Sequence, residues 1–193
     1  METAKRDIRS LSQDQMVQFF EANGEKAFRA KQVYQWLWQK SSSSFDEMTN
    51  LSKSTRALLE AHFYFNLLEV DLMQRSKDGT IKNAVKLHDG AMVESVLIPT
   101  EKRITACVSS QVGCSLDCTF CATASLKRMR NLTPDEIYDQ VVVIDQQGKE
   151  YFDRPLTNIV FMGMGEPLLN YNNVLRAIDK ITDPKGLGMS PKR

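Results

Sequence analysis

The sequence predicts a mixed α/β protein, α+β over its whole length, on three observations. Through Phe63 apolar residues recur at spacings of three and four, the period of amphipathic helices. From Leu67 the pattern switches to strand-like alternation broken by Asp78-Gly79 and Asp89-Gly90, dipeptides that fit tight hairpin turns. Beyond Ile104 strands alternate with helices, and successive strand-loop-helix units imply a parallel sheet. The expected organisation is a small helical bundle over 1–65, an antiparallel β meander or linker over 66–103, and the first two β/α units of an incomplete domain over 104–193.

Each element has its own signal. Ser12 and Gln15 have the spacing of a capping box ahead of Met16, Val17, Phe19 and Phe20, and Asn23-Gly24 stops the segment, which gives a helix over 13–22. Ala30, Val33, Tyr34, Leu37 and Trp38 share one face of a second helix, with Lys31, Gln35 and Gln39 on the other. Ser41 to Ser44 reads as a loop, and 51–63 as a third helix carrying Leu58, Leu59 and Phe63. Strands are expected over 67–74, 80–87 and 92–98, and the turn after Pro99 leads into a strand over 104–109 that delivers the cysteines. Thr133-Pro134-Asp135-Glu136 combines an N-cap, a proline at the first helical position and a capping-box glutamate, and Ile137, Val141 and Ile144 continue that helix. Residues 157–162 form a buried-type strand and 173–182 the helix after it; a further strand should begin at Ser190-Pro191-Lys192-Arg193, leaving the strand around Ile159 as an open edge.

Composition narrows the function. The 193 residues carry 25 Lys+Arg against 24 Asp+Glu, a formal charge of +1, which excludes polyanion binding driven by net charge alone. With 42% hydrophobic and 25% charged residues the chain has the material for a packed core. Apolar runs are short, as at Val141 to Ile144, and the start METAKRDIRS is polar, so neither a signal peptide, a transmembrane span nor a membrane partner is expected. All four cysteines, Cys107, Cys114, Cys118 and Cys121, crowd into one stretch, whereas a disulfide framework spreads its bridges through the chain. That pattern favours a reducing, cytoplasmic setting.

Cys114, Cys118 and Cys121 form a C-x3-C-x2-C sequence after a strand. Three thiolates on one short loop suit three irons of a cubic cluster, with the fourth iron open to a small molecule. Zinc is the rival ligand, weakened because His62 and His88 lie outside the loop and belong to no paired motif. A disulfide between such near neighbours would be strained. Gly163-Met164-Gly165-Glu166-Pro167 follows the next strand; its glycines would let backbone approach a ligand and its carboxylate would pair with an ammonium, although the bare pattern equally describes a strand-end turn. Lys127, Arg128 and Arg130 read either as phosphate contacts or as a solvated run. On pattern alone Glu94 is a solvent-facing strand carboxylate, Cys107 a small buried hydrophobe, and Trp36, Trp38, Phe19, Phe20, Met162 and Met164 packing residues.

Three longer segments go further: VESVLIP at Val93 to Pro99, CVSSQVGCSLDCTFCAT at Cys107 to Thr123 with Phe120 before the last cysteine, and NIVFMGMGEPLLNYNNV at Asn158 to Val174. They resemble the radical S-adenosylmethionine RNA adenine methyltransferases of the RlmN and Cfr type, with the resemblance covering the whole chain and the chain covering about half of the family pattern. The resemblance implies a partial (β/α) barrel of which this chain holds the first two units. It implies a [4Fe-4S] cluster on Cys114, Cys118 and Cys121, and S-adenosyl-L-methionine held at Gly163, Gly165 and Glu166. It implies methylation of carbon 2 of adenine in 23S rRNA and tRNA through a methylcysteine carrier, with Glu94 removing the adenine proton and Cys107 releasing the product. An electron donor for the cluster, a monomeric state, a disulfide bond, and RNA contacts by Lys127, Arg128 and Arg130 go with it. No cysteine follows Cys121, so the carrier is missing and the polypeptide as given is not expected to turn over. The alternatives are a C8-type methyltransferase, which the same motifs would serve, and a non-catalytic zinc- or cluster-binding RNA adaptor, which metal content would distinguish.

Overall fold

A computed structural model of the chain describes residues 5–191. Two compact units divide it: one runs up to Asn66 and takes in Lys180–Gly188, and the other contains Leu67–Asp179.

In the first unit β1 (Arg6–Asp7) leads into a 3-10 turn, Ile8–Ser10, where the Asp7 carboxylate accepts the Arg9 N–H at 2.7 Å. Helix α1 (Gln13–Ala22) starts on the expected capping box: the Gln15 N–H donates to Ser12 Oγ at 3.2 Å and the Ser12 N–H to Gln15 Oε1 at 2.9 Å. Helix α2 (Phe28–Trp38) buries Ala30, Val33, Leu37 and Trp38. Helix α3 (Lys53–His62) is narrower than its apolar pattern, because Ser52 is spent as the N-cap and Phe63 is already extended. Phe63 opens β2 (Phe63–Tyr64), which pairs in parallel with β1. Ile8, Met16, Phe20, Met48 and Leu59 are fully buried here, while the Phe19 ring meets Phe63 edge-on at 4.7 Å.

The second unit is built on β3 (Glu69–Arg75), β4 (Ile81–Lys86) and β5 (Met92–Pro99), joined by the two expected hairpins. β6 (Ile104–Cys107) pairs antiparallel with β5, so meander and β/α part share one sheet across the division expected at residue 103. β7 (Gln111–Val112) pairs with β8 (Arg130–Asn131) at the base of the cysteine hairpin. Helix α4 (Pro134–Phe152) begins on the Thr133–Glu136 capping box and returns the chain to β9 (Asn158–Val160), parallel to β6. Helix α5 (Tyr171–Thr182) follows. The sheet order is β3-β4-β5-β6-β9, which leaves β9 at an edge. Strand residues alternate faces; Val85, Val93, Leu132, Ile137, Val174 and Ala177 form a common core.

Two strands are shorter than their apolar runs. β6 stops at Cys107 and β9 at Val160, because both segments then bend into hydrogen bonds with each other: Val108 N–H to Val160 O at 3.0 Å and Gly163 N–H to Val108 O at 3.1 Å. Ser190 and Pro191 are not in a strand, and the rest of the strand expected there, Lys192 and Arg193, lies outside the described residues, as do Met1–Ala4 of the helical segment. No helix among the described residues is long and apolar enough to cross a membrane.

Candidate cofactor and cluster site

The parallel pair β6 and β9 sends two loops out of the same end of the sheet, the end at which open α/β sheets hold ligands. The first is the cysteine hairpin between β7 and β8. Its neck is tight: the Cys114 N–H donates to Leu126 O at 3.3 Å and the Met129 N–H to Val112 O at 2.8 Å. Gly113 has φ 72, and a Cβ there would stand 2.2 Å from the Lys127 carbonyl oxygen, so glycine is required for the closure itself. At the tip the Cys121 N–H donates to Cys118 O at 3.0 Å and a 3-10 turn, Ala122–Ser125, follows.

All four cysteines are free and half-buried, so the expected disulfide is not formed among them. The Cys114 sulfur accepts the Leu116 N–H at 3.4 Å. Among the described residues no three His, Cys, Asp or Glu side chains are gathered as a metal site; the hairpin carries Cys114, Cys118 and Cys121 without bringing them to one point. The donor set nevertheless fits an iron-sulfur cluster by its chemistry, three free thiols in one short loop, and binding such a group is what normally orders a ligand loop. Cys114 also borders a cleft of about 420 Å³ with Leu116, Asp117, Ala124, Lys127 and Arg128.

The second loop is Gly163 to Pro167. The N–H groups of Ser110 and Gln111 donate to Met164 O at 2.9 and 3.2 Å, and the Met164 N–H donates to Ser109 Oγ at 2.8 Å. The Ser109 hydroxyl in turn donates to the Glu94 carbonyl at 2.5 Å. A Cβ on Gly163 would lie 2.7 Å from Ser109 Oγ; on Gly165, whose φ is +91, it would lie 2.4 Å from Gln111 Cβ. Both glycines are therefore needed by the protein's own packing. Glu166 caps the 3-10 turn Pro167–Asn170, accepting the Leu168 N–H at 3.1 Å on Oε1. Gly165→Ala should destabilise the chain by about 2 kcal/mol through backbone strain alone, and more through the clash with Gln111; chemical denaturation measures it, and an unchanged midpoint would refute the close approach.

Glu94 lies on β5, where Val93, Ser95 and Leu97 face the core and Glu94 the opposite side. Its carboxylate meets Lys82 Nζ at 2.6 Å, both side chains being about half exposed. Cys107 sits directly across from Val96, on the Glu94 face and one diagonal step away, a separation of about 7–8 Å in a regular sheet. Burial pushes the Cys107 thiol up from its ordinary value, against a smaller lowering by a hydrogen bond with the Met162 backbone. Glu94, Lys82, Met92, Thr123, Leu126 and Met164 border an open cavity of about 340 Å³, so the sheet face with Glu94 looks toward the segment just past Cys121.

The basic run divides. Lys127 and Arg128 are exposed, whereas Arg130 is partly buried and paired within the protein. Its Nη1 and Nη2 groups donate to the two Glu136 carboxylate oxygens at 2.7 Å each, and its Nε donates to Asp89 Oδ2 at 2.7 Å. The Glu136 side chain is 2% exposed. Burial would raise its carboxyl; the hydrogen bonds from Arg130 and the Thr133 N–H and the charges of Arg130 and His88 outweigh that and lower it. Asp89 is held at about 2, first by its Arg130 hydrogen bond and against burial. Sequence reading missed three partners: Lys82, for which the hairpin register offered a signal, and Gln111 and Asn170, for which nothing local did.

Residues 6–65 match the family model of the ribosomal RNA large subunit methyltransferase N-terminal domain, and residues 108–189 match that of the radical SAM superfamily. A probable dual-specificity RNA methyltransferase RlmN of Christiangramia forsetii is 70% identical over 189 residues, covering 98% of this chain and 54% of that protein. Its namesake in Flavobacterium psychrophilum is 68% identical over 193 residues, 100% of this chain and 56% of that protein. The crystal structure of a radical SAM methyltransferase from Sphaerobacter thermophilus superposes with a TM-score of 0.85 at 35% identity, covering 97% of this chain and 55% of that one. The chain thus spans about half the length of the curated relatives it matches. Over nearly all of its own length the chain is thus similar to the first half of proteins named RlmN, and it matches the RlmN N-terminal model and the radical SAM superfamily model in turn.

Proposed function

We propose that this chain is the cluster- and cofactor-bearing part of a methyltransferase that acts on carbon 2 of adenine in 23S rRNA and tRNA. The observation that carries the proposal is the main-chain contact of Ser110 and Gln111 with Met164, which holds the cysteine hairpin against the Gly163 to Pro167 turn. In this reading Cys114, Cys118 and Cys121 hold a [4Fe-4S] cluster, and Gly163, Gly165 and Glu166 receive the methionine end of S-adenosyl-L-methionine. When bound, the cluster supplies an electron for reductive cleavage of the cofactor, so an electron donor is a required partner. Lys127 and Arg128, exposed at the rim of the Cys114 cleft, meet RNA phosphates. The protein acts as a cytoplasmic monomer, and the methyl carrier is a cysteine outside this chain.

Glu94 and Cys107 share one face of the sheet, and their roles follow from that placement. Glu94 takes the proton from the adenine carbon, and the Cys107 thiol resolves the bond between carrier and RNA. In the complete enzyme Glu94→Gln and Cys107→Ala are expected to keep parental iron content and to accumulate a protein-RNA adduct on denaturing gels. Because burial raises the Cys107 thiol, resolution should quicken as pH rises into the alkaline range, where the thiolate forms. Parental turnover by both variants would refute these roles.

The test of the whole reading is metal analysis after anaerobic purification. Iron and sulfide near about four each per chain are expected, with methylation of carbon 2 in an RNA substrate by the complete enzyme. Stoichiometric zinc would instead identify a metal-stabilised RNA adaptor, and methylation at carbon 8 would identify the sister activity.

A further inference from the structure

Asn170 is 3% exposed and lies in neither the cysteine hairpin nor the Gly163 to Pro167 turn, yet it touches the supports of both. Its Nδ2 donates to the Ser110 carbonyl at 2.7 Å and to the Leu132 carbonyl at 2.8 Å. Those two carbonyls flank the hairpin neck, where the Leu132 N–H also donates to Ser110 O at 3.0 Å. The Asn170 Oδ1 accepts from Asn173 Nδ2 at 2.9 Å, and the same Asn173 nitrogen reaches Leu132 O at 3.0 Å. Every polar atom of the Asn170 amide is occupied, which fixes its orientation.

A second amide completes the connection. Gln111 Nε2 donates to Asn131 Oδ1 at 2.8 Å, on the strand across the neck, while Gln111 Oε1 accepts the Glu166 N–H at 2.9 Å. Asn131 Nδ2 in turn reaches Leu169 O at 3.3 Å. The neck of the hairpin and the turn that ends at Glu166 are thereby tied by side-chain amides on both of the hairpin's strands. Uncharged amides suit this work, because they bind neutral carbonyls and N–H groups without bringing a charge into a buried place.

We propose that Asn170, braced by Asn173, is a positioning residue that sets the distance between the cysteine hairpin and the S-adenosylmethionine turn. The inference rests on the cofactor reading above. Its consequence is specific: without the brace each element forms, but the two no longer stand in register for one ligand that must span them. Asn170→Ala removes both donors. Asn170→Asp keeps the shape and points a carboxylate at two carbonyl oxygens.

The experiment uses the complete protein, reconstituted anaerobically, with iron content and the paramagnetic resonance spectrum of the reduced cluster as readouts while S-adenosylmethionine is titrated in. For Asn170→Ala and Asn170→Asp we expect parental iron content and a parental spectrum before cofactor is added. The half-saturating concentration for the cofactor-induced spectral change should rise about tenfold, the equivalent of one to two lost hydrogen bonds. Asn173→Ala, which removes the brace and the Asn173 bond to the Leu132 carbonyl but leaves both Asn170 donors in place, should raise it about threefold. If the parent takes up no cluster or shows no cofactor response, the cofactor reading fails. If the parent responds and the Asn170 variants titrate like it, the positioning role is overturned. Should the Asn170 variants lose iron together with their fold, Asn173→Ala decides, and a parental titration there overturns the inference.

Discussion

Serine at Cys114, Cys118 or Cys121 is expected to reduce the iron bound after anaerobic reconstitution to background, while serine at Cys107 leaves it at the parental level. The first three thiols share one hairpin whose neck is closed by the Cys114 to Leu126 hydrogen bond and by a glycine that admits no side chain. Cys107 instead belongs to β6, paired across to Val96 and alongside Val160, so the sheet holds it in place whatever the hairpin does. A serine oxygen is a poor ligand for iron compared with a thiolate, and an open-site cluster has no spare protein ligand to replace a lost one. Iron quantification and visible absorption give the answer. Cluster assembly by the triple serine variant would remove the metal assignment entirely, and dependence on Cys107 would move it to a different set of ligands.

Arg130→Met should destabilise the chain by about 3–5 kcal/mol, because it leaves the Glu136 carboxylate buried without its partner. Denaturant unfolding measures the loss, and Arg130→Met combined with Glu136→Gln should recover part of it, since the coupling between the pair is what is broken. The acid limb of the parent carries the same signature. Asp89 and Glu136 both have lowered carboxyls in the folded state, Asp89 at about 2. Groups lowered on folding stabilise above their unfolded values near about 4 and lose that contribution as pH falls through the folded value. The parent's stability should therefore decline from about pH 4 toward about pH 2, and the Arg130 variant should decline less steeply. A variant with unchanged stability at neutral pH would show that the bidentate pair contributes nothing.

The helical and hairpin elements were legible because their signals are local. The Ser12–Gln15 and Thr133–Glu136 capping boxes formed as their spacing required, and the Gly79 and Gly90 turns take positive φ. The three motif segments likewise pointed, by residue identity alone, to the RlmN relatives that the chain matches. What pattern misjudged was length. The apolar runs over 104–109 and 157–162 continue past the strands, because an apolar side chain is equally at home in a strand and in the bent backbone that follows it.

The site divides in the same way. Sequence by itself determined which residues are available: three cysteines at ligand spacing, a glycine-flanked glutamate, and a strand carboxylate. Tertiary structure alone decided that Glu94 and Cys107 share a face, since a face relation across two strands depends on register, which no single strand encodes. It also withdrew Arg130 from the exposed basic run and put Asn170 against the hairpin neck. Charge type can be read from one residue, but whether that charge or amide points at solvent, at ligand or at a buried partner depends on residues far away in the chain. Asp89 lies 41 positions from Arg130 and Ser110 lies 60 from Asn170, and only the packed sheet brings them together.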